Sequence, residues 1–225
     1  MIHRAIEERI HNALAKKKAV TIMGPRQVGK STLADAIIPK DARILEINGD
    51  NTDVQTMFIN VDEAKMKVLI GNKNFLFVDE AQKIENVGNM LKIVAEKFKD
   101  VKIIVTGSSA FKLVEAVNES LTGRKREFRL YPLSFKEMAD ETSTLEESRM
   151  IDHRLIYGYY PEVVTSPGDE KEVLKELIDS YLYKDVMEEN HIAKPDKLVK
   201  LVQALAFQIG STVSANELAG LVGID

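Results

Sequence analysis

Apolar positions along this chain keep two alternating rhythms. Residues 2–16 set Ile2, Ile6, Ile10, Ala13 and Leu14 on one face of a helix. The run Lys17-Lys-Ala-Val-Thr-Ile-Met23 is short and apolar and reads as a buried strand, and Thr32-Leu-Ala-Asp-Ala-Ile-Ile38 reads as a helix stopped by Pro39. Four further strands are predicted at Arg43–Ile47, Phe75–Val78, Val101–Val105 and Glu127–Tyr131, separated by stretches of helical period such as Asn89–Phe98. Strand alternating with helix predicts an α/β fold with a parallel five-stranded sheet flanked by helices. The runs ending at Val78 and Val105 pass at once into polar residues, the place for ligand groups at the carboxyl edge of such a sheet.

The rhythm breaks at Thr165-Ser-Pro-Gly-Asp169, which precedes an Asp169-x-x-Glu172 capping box, and only helical sequence follows. Val173, Leu174, Leu177, Ile178, Tyr181, Leu182 and Val186 form one stripe, and Leu198, Leu201, Val202, Leu205 and Ile209 form a second. Both read as core packing. Ser214 to Gly223 looks like the opening of a helix-turn-helix, with Ser214 as N-cap and Glu217 closing its box. Asp225 comes before a second helix could form, so the chain reads as a fragment of a longer protein.

Composition narrows the class. The 225 residues are 44% apolar and suit one ordinary domain with a smaller appendage. No apolar run reaches the ~18 residues of a membrane span. Arg4, Glu7, Glu8 and Arg9 stand where a signal peptide is apolar, so a cytoplasmic protein is expected. There is no cysteine for disulfides or thiolate zinc sites, and the four histidines are scattered. A net charge of −4 does not favour DNA or other nucleic acid as a partner.

The chemistry concentrates in Gly24-Pro-Arg-Gln-Val-Gly-Lys-Ser31, which fits G-x-x-x-x-G-K-[ST] between a strand and a helix. Gly24 and Gly29 permit backbone angles that other residues resist, so in the loop that Pro25 helps to turn, the N–H groups of Arg26, Gln27, Val28 and Gly29 can close around a polyphosphate at the helix N-terminus. Lys30 then reaches the β and γ phosphates, the Ser31 hydroxyl ligates Mg²⁺, and Thr32 opens the helix. Asp79 and Glu80 end the apolar strand at Phe75, and a phosphate loop needs such a companion: one carboxylate for the Mg²⁺ shell, one to orient and deprotonate water. Thr106 and Ser108, in Thr106-Gly-Ser-Ser109, can lie beside the γ phosphate as sensors; the same residues also suit a polar turn and N-cap. Arg124, in Leu121-Thr-Gly-Arg124, is the candidate arginine finger, reaching a neighbouring subunit's nucleotide; a solvated basic turn is the plainer reading.

Six motifs in order, Gly24–Thr32, Asp79–Gln82, Thr106–Ser109, Leu121–Arg124, Tyr131-Pro-Leu-Ser-Phe135 and Gly158-Tyr-Tyr-Pro-Glu-Val-Val164, resemble one group of prokaryotic AAA+ ATPases. In that group an N-terminal ATPase domain precedes a C-terminal domain of unknown function. The resemblance implies a core over 1–167 with its sheet in AAA+ order, a helical lid over 168–210, and the start of a truncated winged-helix-like segment over 211–225. It also implies ATP and Mg²⁺ as ligands, homo-oligomers with Arg124 acting in trans, and a further C-terminal region. Tyr159 departs from it, standing where the group usually has a second glycine.

A GTPase needs an Asn-Lys-x-Asp guanine reader, and the nearest string, Asn72-Lys-Asn-Phe75, lacks the Asp. No transporter-type signature is present, and Glu80 suits water activation better than transfer to a kinase acceptor. Two readings stand: ATP hydrolysis coupled to a partner or C-terminal domain, and a nucleotide-gated switch that binds ATP with little or no hydrolysis.

Overall fold

The computed structural model of the chain describes residues 2–59, 61–108, 120–179 and 195–223. Residues 1–165 and 166–225 form two compact units.

The first unit is built on five parallel strands, β1 (Ala19–Met23), β2 (Ile44–Asn48), β3 (Phe75–Asp79), β4 (Lys102–Gly107) and β5 (Lys125–Arg129), ordered β2-β3-β4-β1-β5. The predicted parallel sheet is present; β1, β3 and β4 read as apolar runs because both their faces are covered, whereas the edge strands β2 and β5 are partly exposed. Alternate residues of one strand serve opposite faces. Leu76 and Val78 join a layer with Met23, Ile47, Met66 and Leu91. Phe75 and Phe77 join the other, with Ile10, Val20, Leu33 and Ile104.

Around the sheet lie α1 (Glu7–Ala15), α2 (Lys30–Ile37), α3 (Thr52–Phe58), α4 (Glu63–Ile70) and α5 (Val87–Lys97), with a 3₁₀ turn at Ala81–Lys83. Local chemistry starts two of them. The Asn51 side chain accepts from the amides of Asp53 and Val54, and Asp62 accepts from Lys65. The last strand begins two residues earlier than its apolar pattern suggests, because pairing with β1 starts at Ala19 opposite Lys125.

Residues 135–165 hold four short helices whose apolar pattern is too brief to announce them: α6 (Phe135–Glu141), α7 (Thr144–Arg149), α8 (Ile151–Tyr157) and α9 (Pro161–Thr165). Ser134 and Glu137 form a complete capping box at α6, and Ser143 caps α7. A buried Arg154–Glu147 pair at 3.1 Å ties α8 to α7. Gly158 carries the left-handed turn (φ 79°), whereas Tyr159 has no positive φ, so its side chain causes no backbone strain there. The Tyr159 carbonyl accepts from the Leu133 amide at 2.8 Å. Burial, with the Glu147 carboxylate close by, pushes the Tyr159 hydroxyl up to about 12. Pro161 opens α9, the first helical position where its missing N–H costs nothing.

The second unit contains α10 (Glu170–Leu177), α11 (Pro195–Phe207) and α12 (Ala215–Val222), the last two packed on each other. The expected Asp169–Glu172 box does not form. Asp169 makes no side-chain cap, and the Glu170 carboxylate instead accepts from the Gly168 amide at 2.9 Å. Ser214 caps α12 by accepting from Glu217 at 3.5 Å. The second apolar stripe is buried only in part: Leu198 is covered, Leu205 is 40% exposed, and Ile209, beyond the end of α11, is 85% exposed. Tyr181, Leu182, Val186 and Ser109 lie outside the described residues. Among the described residues, no helix is long and apolar enough to cross a membrane.

Leu76 is fully buried in the central strand β3, so Leu76→Ala is expected to cost about 2–5 kcal/mol of unfolding free energy. A side chain at Gly49 would bring its Cβ to 2.3 Å from the Glu80 carbonyl oxygen, and Gly49→Ala is expected to cost about 1–3 kcal/mol. Urea denaturation followed by circular dichroism measures both, and an unchanged midpoint for Leu76→Ala would take β3 out of the core.

Candidate functional site

Six residues of tight backbone, Gly24 to Gly29, join β1 to α2. Gly24 opens the loop by donating to the Gly107 carbonyl at 3.3 Å, and a Cβ there would stand 2.3 Å from the Leu130 carbonyl oxygen, so only glycine fits. Gly29 closes it in the left-handed conformation (φ 91°, ψ 31°) as the N-cap of α2, and its carbonyl accepts the helix bond from Leu33 at 2.9 Å. Gln27 is also left-handed (φ 56°), a strain of the kind that gathers at ligand sites. Between them Val28 is fully buried and anchors the loop in the apolar layer, while Pro25 and Arg26 are half-covered and Thr32, in the first turn of α2, is exposed.

Lys30 is only 4% exposed. Its Nζ donates to the Pro25 carbonyl at 2.9 Å and lies 3.8 Å from Glu80 Oε1. Burial pulls the pKa of this ammonium below the ordinary lysine value, with the carboxylates of Glu80 and Asp79 opposing the shift. A buried cation with one carbonyl and one loosely placed carboxylate has capacity for an anion of higher charge.

The parallel register sets the rest. Val78 lies opposite Val105, so Asp79 and Thr106 end neighbouring strands side by side. The Ser31 hydroxyl lies 2.9 and 3.0 Å from the two Asp79 oxygens. Thr106, fully buried, donates its hydroxyl to Asp79 and accepts from the Glu80 amide at 3.3 Å, so both its functions are used. Glu80 is left-handed (φ 47°), and one of its oxygens accepts from Gln82 Nε2 at 2.5 Å. Ser108, two residues past Thr106, is half-buried in the segment after β4.

Seven polar groups therefore converge at one edge of the sheet: the loop amides, Lys30, Ser31, Asp79, Glu80, Gln82 and Thr106. A hydroxyl beside a carboxylate suits a small hard cation, which takes one or two protein oxygens and completes its shell with water and phosphate. No cluster of three or more acidic, His or Cys ligands exists among the described residues. Beside the loop, a cavity of about 360 Å³ is lined by Ile2, Arg4, Gly29, Thr32, Leu33 and Leu133, mostly apolar walls suited to a flat ring.

Arg124 stands apart from this edge. Its carbonyl accepts from the Ala19 amide where β1 begins, and its guanidinium pairs with Glu96 at 2.9 Å. The whole of β1 separates it from the loop, about 16 Å at ~3.3 Å per residue. Gln82, Arg4 and Glu137 gain their place at the site only from the structure. Gln82 sits within the Asp79–Gln82 motif, and Ser134-x-x-Glu137 is a capping-box signature; Arg4 carries no local signal.

Comparison with known proteins agrees with this geometry. A family model described as an AAA domain matches residues 16–139, and a second, described as a domain of unknown function, matches residues 148–225. An uncharacterized protein of Methanocaldococcus jannaschii is 27% identical over 236 residues, covering 97% of this chain and 53% of its own length. An uncharacterized Haemophilus influenzae protein is 28% identical over 152 residues, covering 65% of this chain and 38% of its own length. The chain thus spans about half the length, or less, of these curated relatives. Among solved structures, a signal transduction ATPase with numerous domains from Pyrococcus horikoshii aligns over 91% of this chain and 34% of that one, with 12% identity and a TM-score of 0.49. The C. elegans protein PCH-2 aligns over 70% of this chain and 50% of that one, with 15% identity and a TM-score of 0.42. With the loop at residues 24–31, the acidic strand end and the parallel sheet all inside the matched region, the chain belongs to the AAA domain family and has its nucleotide-binding architecture.

Proposed function

We propose that this chain binds ATP with Mg²⁺ at the loop and hydrolyses the γ-phosphate anhydride, with the energy coupled to a partner or to sequence outside the chain. The carrying observation is the meeting of Lys30 and Ser31 with Asp79, Glu80 and Thr106 at one sheet edge.

The roles follow from that placement. Amides of residues 26–32 wrap the polyphosphate, and Lys30 exchanges the Pro25 carbonyl for β- and γ-phosphate oxygens. Ser31 and Asp79 would hold Mg²⁺, whose charge, when bound, offsets that of the phosphate oxygens. Glu80 accepts a proton from the attacking water, so that its oxygen joins the γ phosphorus as the bond to ADP breaks. Gln82 holds the second oxygen of that carboxylate. Thr106 and Ser108 register the γ phosphate, and the apolar cavity beside Gly29 receives the base. Arg124 serves the site of a neighbouring copy, since β1 separates it from its own loop. Residues 168–210 act as a helical lid and 211–225 open a winged-helix-like segment, through which nucleotide state reaches the rest of the protein in the cytoplasm.

A nucleotide-gated switch is the second reading. It is favoured by the engagement of Glu80 with Gln82 and by the distance of Arg124 from the loop, both of which slow hydrolysis in a lone chain.

Glu80→Gln is expected to lower kcat by about 10²–10⁴-fold while ATP affinity is kept. Lys30→Ala should lose ATP binding itself. Steady-state phosphate release and fluorescent-nucleotide titration separate the two effects, and parent-level turnover in Glu80→Gln would refute its role as base. Specific activity is also expected to rise with protein concentration, a rise that Arg124→Ala should flatten. Negligible turnover at every concentration, with Mg-ATP still bound, would establish the switch instead.

A further inference from the structure

Arg4 is 6% exposed although it precedes the first helix, and its guanidinium reaches three separate segments. Its Nε donates to Glu137 Oε1 at 3.0 Å, one terminal nitrogen to the Val28 carbonyl at 3.0 Å, and the other to the Tyr131 carbonyl at 2.6 Å. Glu137 is itself fully engaged. The oxygen that meets Arg4 also accepts from the Ala5 amide at 2.9 Å, and the other accepts from the Ser134 amide at 2.8 Å and its hydroxyl at 3.0 Å. Burial alone would raise the Glu137 carboxyl, but the Ala5 and Ser134 amides and Arg4 outweigh it and hold it below the ordinary glutamate value. The pair is charged and satisfied at neutral pH.

Val28 is the residue before Gly29, the left-handed turn that closes the loop. In a planar trans peptide the C=O and N–H point to opposite sides. Pinning the Val28 carbonyl on Arg4 therefore aims the Gly29 N–H away from Arg4, and it fixes the peptide that leads into Lys30. We infer that Arg4 is a positioning residue for the phosphate loop, oriented in turn by Glu137, so that a segment from outside the loop sets the direction of its amides. The inference rests on the nucleotide-binding reading of residues 24–31. Lysine at this position would keep the charge but offer one donor point where the planar fork offers three directions.

The test compares the full chain with Arg4→Lys and Glu137→Gln. Three readouts are taken: fluorescent-ATP affinity, KM and kcat; melting temperature without nucleotide; and amide hydrogen exchange at residues 28–31. Arg4→Lys should weaken ATP binding and raise KM by about ten-fold or more, leave kcat within about three-fold, and speed exchange at Gly29 and Lys30 while β1 and β4 exchange as in the parent. Glu137→Gln removes the charge and one of the two accepting oxygens, putting an NH2 against the donors of either Arg4 and Ala5 or Ser134, and should weaken ATP binding in the same direction. If affinity and loop exchange in folded Arg4→Lys match the parent, or if losses track only the unfolded fraction, Arg4 is a structural staple and the inference fails. Because Arg4→Ala risks misfolding, the lysine variant and its exchange pattern decide the question. A parent that binds no ATP overturns the nucleotide reading and this inference with it. A parent that binds, with Lys30→Ala losing ATP and Arg4→Lys keeping it, overturns this inference alone.

Discussion

The Asp79 carboxylate is the tie on which the site depends. It ends β3, accepts the Ser31 hydroxyl from the start of α2, and accepts the Thr106 hydroxyl from the end of β4. Three elements distant in sequence thus share one acceptor, and the sheet register that puts Val78 beside Val105 makes the meeting possible. Shift that register by one residue and Asp79 would turn to the opposite face, leaving Ser31 and Thr106 without their partner. The apolar layers on both faces of the sheet protect the site by making such a slip expensive: every residue of β1 is buried, and so are the first four of β3.

The free energy of folding is spent unevenly around that tie. Lys30 is held in a nearly dry position with its charge only partly compensated, and Glu80 and Gln27 occupy left-handed backbone angles that their side chains disfavour. Each lowers stability locally, and each is surrounded by fully buried residues such as Val28 and Ala81 that leave no easier conformation. Local cost inside a well-packed frame is the usual mark of a site built for a ligand and not for the core.

What was legible in the sequence follows from how local the physics is. The loop at 24–31 and the acids at 79 and 80 were readable because their chemistry needs fixed residue types at fixed short spacing. The three central strands β1, β3 and β4 were readable because two-sided burial leaves apolar runs, whereas the charged edge strand β5 was placed two residues late. The helices between 135 and 165 were not, since elements of five to seven residues carry less than two turns of periodicity. Asp169 failed as a cap because its backbone (φ −108°, ψ 12°) is not in the extended region of a capping residue and its amide already donates to the Ser166 carbonyl. The contact of Arg4 with Glu137 spans 133 positions and exists only once the sheet has folded.

β5 borders the sheet, paired on one side with β1, and four of its five residues, Lys125, Arg126, Glu127 and Arg129, are charged. A strand at the rim of a sheet ordinarily invites another chain to zip onto its free backbone groups, the first step of many aggregates. Here an incoming strand would have to settle against a row of charges and strip them of water. The charges themselves oppose growth of the sheet on this side, so that among the described residues its hydrogen-bonded ladder stops at β5.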